Sequence, residues 1–513
     1  MTSLSPNPPP APTPGPGTPA SLTKSVVGGS VWMIANSIVM RVVSLFAQIA
    51  LGHLLTKADF GLYGMAMSIA AVLTVLRDGG VRQLLIQRQK EYETLAGPVF
   101  WMGATFSLIT GLLLLAAGPI AAARSGEPEV AILLYLLAIS QPIGALGSTL
   151  TAKLQIDMRF AAYSAAGAAG GFVRYVGSIL LAWFGFGARS FVIPMIPAAM
   201  LEFLIPCLLT REQPWRRRPN IKLWPSMLAR TSWVMLGAGS LAAFNIGTSI
   251  VIGVFVAKEI VGVYFFAFQI VAQVGVVLGN NINYVLFPAF SKIADDPARK
   301  QLAVRKALRQ TMLLAAPFSL GLAAVAPALL VFIWHDKWLE AIWPTIISSA
   351  AFPIYIILAV PQASQQSRGL FRQWALSLTA LCILTLTSAG IGAYVTGTVV
   401  GITLISGVVT AIAGLIYTLA VLRSIGVGFG ATLAAIMPGW IIALMAAGAA
   451  IWADDAYFAS LPAWVRVALS GTLFSVLFGL TARVVVPSHL GEAVDVLPAR
   501  VRPWARRLLL LPL

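Results

Sequence analysis

Long apolar runs alternate with short polar segments along most of this chain. From Lys24 onward, runs long enough to cross a bilayer as helices recur fourteen times. They lie at about 27–52, 60–76, 98–123, 130–150, 163–186, 190–209, 231–256, 260–287, 311–334, 341–361, 374–395, 399–422, 432–452 and 463–485. Because backbone groups in lipid must be paired within the chain, this pattern predicts an all-α polytopic membrane protein with about fourteen transmembrane helices.

The apolar pattern repeats after 201 positions. Residues 52–76, GHLLTKADFGLYGMAMSIAAVLTVL, align with residues 253–277, GVFVAKEIVGVYFFAFQIVAQVGVV. The most informative identities are Gly52/Gly253, Lys57/Lys258, Gly61/Gly262 and Tyr63/Tyr264. We therefore predict two six-helix lobes related by an internal repeat, followed by two extra C-terminal helices. Repeated halves of this kind build the transport site of many membrane proteins at their shared interface.

The predicted boundaries divide the chain into six segments. A Pro-rich tail without charged side chains is expected to be disordered and cytoplasmic, and a basic cytoplasmic linker separates the two lobes. In order, the segments are the tail 1–23, the N-lobe 24–210, the linker 211–230, the C-lobe 231–425, the extra helices 426–486 and a basic cytoplasmic tail 487–513.

Composition and charge agree with a membrane protein. The 513 residues are 58% hydrophobic and 10% charged, with a net charge of +17. With the N-terminus in the cytoplasm, 27 of the 35 Lys and Arg lie on inner segments, 6 on outer segments and 2 inside spans, where Arg466 and Arg483 at the two ends of the last span are counted with the adjacent segments. This bias predicts two cytoplasmic termini, and it explains the positive charge without nucleic acid. Cys207 and Cys382 lie in apolar runs, so we expect no disulfide, metal or cofactor.

The clearest candidate site residue is Arg41, which lies in the middle of the first span. An arginine at that depth costs about 2.5–3.5 kcal/mol on insertion scales, so it is expected to face protein or water. The residues Ser37, Arg41, Ser44 and Gln48 share one helical face. This polar stripe predicts the wall of a substrate cavity, with helix packing through small and polar residues as the alternative.

A second polar face is predicted on the eighth span. Its amides are Gln269, Gln273, Asn280 and Asn283, to which Asn245 of the seventh span is added. Each amide offers both a donor and an acceptor, which suits sugar hydroxyls. Hydrogen bonding between helices is the alternative interpretation.

Other charged and aromatic residues are candidates for more limited roles. Counting 1.5 Å per residue places Arg174 and Glu202 at similar depths on successive helices, either as a buried pair or as substrate and coupling groups. The arginines Arg77, Arg82 and Arg88 follow the second span, where they either receive a diphosphate or only set the topology. The group Trp334, Trp338 and Trp343 is interpreted as outer interfacial anchors, with sugar stacking as the alternative.

Six motifs in order resemble those of a known family. They are HLLTKADFGLYGMAMSIAAVL, LQIDMRFAAYS, FGFGARSFVI, IGVFVAKEIVGVYFFAFQI, NINYVLFPAFSKI and DKWLEAIWP. Together they are similar to the polysaccharide-transporter family, the O-antigen and exopolysaccharide flippases of Wzx type. That family lies within the multidrug, oligosaccharidyl-lipid and polysaccharide exporter superfamily. His53, Lys57 and Thr248 stand where family members often have Arg, Pro and an acidic residue.

The resemblance implies a flippase in the bacterial inner membrane and no enzyme activity. It would move polyprenyl-diphosphate-linked oligosaccharides from the cytoplasmic to the periplasmic leaflet, by alternating access of two lobes around a cationic cavity. Membrane lipids and the polymerase and export components of the same pathway are the implied partners. The alternatives are a cation-coupled multidrug or other lipid-linked precursor exporter of the same superfamily, or a membrane glycan polymerase or ligase. No catalytic cluster is visible for the latter.

Overall fold

Fourteen long helical segments account for most of the residues that the structure describes. The computed structural model describes residues 19–78, 85, 91–293, 296–487 and 491. The helices are α1 Pro19–Leu54, α2 Lys57–Asp78, α3 Tyr92–Ser125, α4 Pro128–Ile156, α5 Phe160–Trp183, α6 Arg189–Val192 with Met195–Thr210, α7 Trp224–Ile246 with Thr248–Ile252, α8 Lys258–Lys292, α9 Pro297–Trp334, α10 Ile342–Ile357 with Ala359–Ser367, α11 Phe371–Thr396, α12 Val399–Arg423, α13 Phe429–Ala453 and α14 Ala463–Val485.

The helices agree with the predicted fourteen spans in number and order. Within the described residues, ten runs are long and apolar enough to cross a membrane, and one of them, Pro297–Ser367, contains both α9 and α10. No strand is found in the described part of the chain. The all-α prediction is therefore confirmed, because each apolar run pairs its own backbone groups as a helix.

Helix packing within the first six helices recurs six helices later. Helix α1 packs on α5 as α7 packs on α11, and α3 packs on α4 as α9 packs on α10. The pairs α4/α6 and α5/α6 likewise recur as α10/α12 and α11/α12. Helices α13 and α14 pack on α9 and on each other. The architecture of two lobes and two additional helices is as the repeat predicts, while the segment boundaries and their sides of the membrane stay predictions.

The lobes meet where α2 crosses α8, through a reciprocal contact of two glycines. A Cβ atom on Gly61 would lie 1.9 Å from the carbonyl oxygen of Lys258, and one on Gly262 would lie 1.8 Å from that of Lys57. Only glycine allows two helix backbones to approach so closely. In the repeat, Gly61 and Lys57 are equivalent to Gly262 and Lys258. The two lobes therefore meet at this crossing through the same surface of each.

One end of the bundle is closed by contacts between the lobes. The connections α1–α2, α3–α4, α7–α8 and α9–α10 lie at this end, which we call the sealed end. Phe60 of α2 contacts the rings of Phe266 and Trp338 edge-on at 5.3 and 5.2 Å, and Phe266 stacks on Trp338 at 3.7 Å. An aromatic cluster between the lobes thus fills the space beside the glycine crossing.

The sealed end also pairs the backbone at the end of α1. The last carbonyls of a helix lack partners within it. Here Trp338 Nε1 donates to the Gly52 carbonyl at 3.0 Å, and Lys337 Nζ donates to the His53 carbonyl at 2.7 Å. Trp334 and Trp338 are 4% and 0% exposed, whereas Trp343 is 59% exposed. Of the three predicted interfacial anchors, two are therefore buried between the lobes, because the indole N–H groups find carbonyl partners there.

The linker between the lobes is ordered against α3. Trp101 Nε1 donates to the Arg217 carbonyl at 3.1 Å, and the Arg217 guanidinium pairs with Glu93 at 2.7 Å and with Glu212 at 3.0 Å. The 211–230 linker, predicted from its basic residues, thus also fixes the end of α3 opposite the sealed end.

Candidate substrate-binding site

The predicted polar stripe on α1 lies between a packed face and an exposed face of that helix. Asn36 Nδ2 donates to Ser164 Oγ of α5 at 2.7 Å, and Met40 lies against Gly171 of the same helix. The stripe begins one residue after Asn36, so it is turned from this packed face by about 100°. The next sector of the helix surface is occupied by exposed residues, namely Ile38, Val42, Leu45 and Phe46.

The four stripe residues differ in their surroundings. Ser37 is exposed, whereas Arg41, Ser44 and Gln48 are half-buried. Ser44 Oγ donates to the Arg41 carbonyl at 2.8 Å, and Gln48 Nε2 is buried without a hydrogen-bond partner. Within the described residues, no ion pair neutralises Arg41. The stripe therefore offers a cation and an amide donor that protein groups in the described chain do not satisfy.

The predicted amide face of α8 is described only in part. Gln269 and Gln273 are half-buried. The side chains of Asn280 and Asn283 lie outside the described residues, as does that of Arg77, and Arg82 and Arg88 lie outside them altogether. The roles of these residues in binding stay predictions.

Arg174 and Glu202 both lie inside the N-lobe. A Cβ atom on Gly170 would lie 2.7 Å from Glu202 Oε1, so the carboxylate lies against α5 one turn before Arg174. The Arg174 guanidinium lies over the Tyr175 ring, with its carbon 5.0 Å from the ring centroid. Both charges therefore lie along one stretch of α5, and their interaction stays a prediction.

We expect Arg174→Leu and Glu202→Leu each to lower protein abundance, because the remaining charge would be half-buried at membrane depth without its counter-charge. If the pair is only structural, the double variant Arg174→Leu/Glu202→Leu regains both abundance and transport. If the pair takes part in transport, the double variant regains abundance alone. Immunoblots of membranes and export assays on the same cells distinguish the two. Single variants that behave like the parent protein would show that the residues do not interact.

Asn245 lies in a pocket inside the C-lobe rather than only on the face of α7. The pocket lies between α7, α8, α10, α11 and α12 and includes about 600 Å³ of empty space, part of it open to the outside. Apolar atoms form most of its wall. The lining residues with hydrogen-bonding side chains are Asn245, Thr248, Tyr264, Ser348, Tyr355, Thr385, Thr403, Ser406 and Thr410.

The pocket is neutral and internally hydrogen-bonded. The Tyr355 hydroxyl donates to Asn245 Oδ1, and Thr385 Oγ1 lies 3.0 Å from Thr410 Oγ1. None of the lining residues is charged. Such a wall suits an uncharged group, because a buried charge would find no partner of opposite sign there. In the described residues, no three His, Cys, Asp or Glu side chains are grouped as metal ligands.

Two ion pairs at the sealed end were not anticipated as site features from the sequence. Lys57 Nζ lies 2.9 Å from Glu340 Oε1, and Lys258 Nζ lies 2.9 Å from Glu127 Oε2. The hydrogen bond to Glu127 raises the pKa of Lys258, whereas burial lowers the pKa of Lys337 nearby. The signal that identifies them is the repeat, because Lys57 and Lys258 are among its identical positions.

Known proteins with similar sequences are involved in polysaccharide biosynthesis. The chain is 25% identical over 333 residues to the succinoglycan biosynthesis transport protein ExoT of Rhizobium meliloti, a match covering 64% of this chain and 66% of that protein. It is 22% identical over 352 residues to the teichuronic acid biosynthesis protein TuaB of Bacillus subtilis, covering 66% and 68%. The chain thus spans about two thirds of the length of these relatives.

Solved structures with the same fold are transporters. The lipid II flippase MurJ, in an inward closed conformation, superposes with a TM-score of 0.68 at 13% identity, covering 89% of this chain and 100% of MurJ. An inward-facing multidrug resistance MATE family transporter gives 0.57 at 14% identity, covering 77% and 98%.

The family described as "Polysaccharide biosynthesis protein" matches residues 50–343, which is more than half of the chain. This region contains the repeated segments, the glycine crossing and both lysines of the sealed end. The chain therefore belongs to the polysaccharide biosynthesis protein family.

Proposed function

We propose that this protein is a flippase for polyprenyl-diphosphate-linked oligosaccharides in the synthesis of a cell-surface or secreted polysaccharide. The two lobes alternate access to a cavity between them, and the diphosphate and sugars cross inside it while the lipid tail stays in the bilayer. The transporter fold and the family support movement of a lipid-linked precursor. The direction proposed is from the cytoplasmic to the periplasmic leaflet.

The observation that carries this proposal is Arg41. It lies within the span Asn36–Leu54, half-buried, on a polar stripe and without an ion-pair partner in the described chain. A cation kept at membrane depth without a protein counter-charge is costly unless an anion or water reaches it. A diphosphate is such an anion, and the guanidinium fork matches its oxygens.

The sugars are proposed to contact uncharged groups. Gln48 of α1 and Gln269 and Gln273 of α8 offer amides, and each amide both donates and accepts hydrogen bonds. Gln48 Nε2 is buried without a partner, so a sugar hydroxyl would satisfy a donor that the protein leaves unpaired. In this proposal, the charged Arg41 binds the diphosphate of the cargo, and the neutral amide donor of the same stripe binds its sugars.

The test is the fate of the carrier-linked precursor. In a strain that lacks this protein, polymer export is expected to stop, and polyprenyl carrier bearing the oligosaccharide is expected to accumulate in lipid extracts analysed by mass spectrometry. Expression of the parent chain is expected to restore export. A deletion strain that exports normally and accumulates no carrier-linked oligosaccharide would refute the proposed function.

We propose an inner-membrane location with both termini in the cytoplasm, on the strength of the charge bias. In a variant with Cys207 and Cys382 replaced, a cysteine at Arg124, exposed at the end of α3, is expected to react with an impermeant maleimide in spheroplasts. A cysteine at Lys222, exposed in the linker, is expected to react only after permeabilisation. Equal labelling at both positions in intact spheroplasts would contradict this topology.

A further inference from the structure

Two ion pairs join the lobes at the sealed end. Each begins at the first residue of a helix that takes part in the interlobe crossing, since Lys57 starts α2 and Lys258 starts α8. Each ends on a carboxylate of the opposite lobe, at 2.9 Å in both cases. Glu340 belongs to the α9–α10 connection and Glu127 to the α3–α4 connection. Both pairs therefore bridge the interface between the lobes.

The two pairs occupy corresponding places in the two lobes, although only their lysines align in the repeat. The lysines are identical positions of the repeated segments, and the α3–α4 and α9–α10 connections occupy the same place in the helix order of each lobe. The glycine crossing of Gly61 and Gly262 lies one turn away from the lysines. A movement that separates α2 from α8 at this end must therefore lengthen both ion pairs.

Local structure holds one of these lysines in place. Thr56 and Asp59 form a capping box at the start of α2, in which the Thr56 backbone N–H donates to Asp59 Oδ2 at 2.9 Å and the Asp59 N–H donates to Thr56 Oγ1 at 3.2 Å. Lys57 is the first residue of the helix thus capped. Its backbone carbonyl also faces Gly262, so the ion pair and the crossing share one rigid segment.

We propose that Lys57–Glu340 and Lys258–Glu127 act together as one electrostatic latch that keeps the sealed end closed, and that both pairs break when the lobes separate there. This inference goes beyond the proposed function, because it concerns the conformational equilibrium and not the cargo. We call the two pairs the latch.

Because the latch residues are partly exposed, their ion pairs can break and form again. The side chains are 29% and 65% exposed in one pair and 30% and 25% in the other, so water and salt reach them. Partly exposed ion pairs are individually weak and are screened by ions. Loss of both is expected to change the ratio of closed to open sealed ends by about three- to tenfold. Buried apolar contacts such as Phe266 on Trp338 do not respond to salt in this way.

The experiment measures the opening of the sealed end directly. Spin labels are placed on cysteines at Phe184, after α5, and at Val395, near the end of α11, which are 72% and 68% exposed. The background lacks Cys207 and Cys382. The distance distribution is recorded by double electron–electron resonance in lipid nanodiscs. The parent protein is expected to show mainly one population, and Lys57→Glu/Lys258→Glu is expected to add a longer-distance population.

Charge exchange and added salt distinguish the loss of the two ion pairs from a general disruption of the fold. Adding Glu127→Lys and Glu340→Lys to the double variant restores both pairs with reversed polarity, so the parent distribution is expected to return. For the protein with unmodified latch residues, raising the sodium chloride concentration is expected to increase the longer-distance population. The control is Arg189→Gln, which breaks the Arg189–Glu129 pair within the N-lobe and is expected to leave the distribution unchanged.

Two outcomes would overturn the latch. One is an unchanged distribution in the double variant together with no response of the parent protein to salt. The other is a longer-distance population that persists in the charge-exchanged variant. The measurement uses no substrate, so its failure leaves the lipid analysis of the deletion strain untouched. Conversely, a confirmed latch in a protein whose deletion accumulates no carrier-linked oligosaccharide would refute the proposed function alone.

Discussion

Replacing Arg41 by Ala is expected to reduce polymer export at least about tenfold while the protein is still made and inserted. A hydrogen bond to a charged group contributes about 1.5–3 kcal/mol, and 1.4 kcal/mol corresponds to a factor of ten. The arginine has no ion-pair partner in the described chain, so its removal leaves no buried carboxylate behind. Export is measured as surface polymer per unit of membrane-inserted protein.

Two matched variants define the role of Arg41. Arg41→Lys keeps the charge but loses the bidentate fork, so it is expected to restore export in part. Arg124→Ala removes a cation from the exposed end of α3 and is expected to leave export unchanged. Export by Arg41→Ala at the parent level would show that the stripe only packs helices, which is the alternative for such residues. Arg41→Ala cells should also accumulate the carrier-linked precursor.

Gly61→Ala and Gly262→Ala are expected to disrupt the contact between the lobes. The added Cβ would lie within 2 Å of a backbone carbonyl oxygen in each case, and backbone cannot rotate away as a side chain does. Overpacking of this kind costs about 1–3 kcal/mol or more. We expect a lower apparent melting temperature of the purified protein and a larger open population at the sealed end.

The double variant and a control helix test the specificity of that effect. Both glycines form a single crossing, so Gly61→Ala/Gly262→Ala is expected to cost less than the sum of the single variants. Gly103 lies in the interior of α3, with nothing within 4 Å of its Cβ position. Gly103→Ala is therefore expected to be neutral or stabilising by up to about 1 kcal/mol. Equal losses for Gly61→Ala and Gly103→Ala would mean that the crossing has no special role.

The positions of Trp334 and Trp338 were not predicted correctly from the sequence. Three Trp in one short connection indicate a membrane interface on statistical grounds. Trp334 and Trp338 are instead buried, because their indole N–H groups donate to the carbonyls of Ile49 and Gly52 in α1. No local pattern near residue 338 reveals that Gly52 lies opposite, since 286 residues separate them in the chain.

The candidate site was predictable only in its separate parts. Helical spacing alone identifies the stripe around Arg41, because the residues concerned lie within three turns of one helix. Depth along successive helices also brings Arg174 and Glu202 to one stretch of α5. By contrast, the pocket around Asn245 combines residues from five helices. Which faces of distant helices meet is decided by packing, which the periodicity of one helix does not contain.

By itself the sequence determined the all-α class, the fourteen helices and the two repeated lobes. Apolar length and the need to pair backbone groups in lipid leave few alternatives for such runs. Only the tertiary structure decided how the lobes close on each other. The repeat marks Lys57, Gly61 and their counterparts, but an ion pair depends on a carboxylate from the other lobe. Because those partners come from connections far along the chain, only the packed interface shows them to be partners.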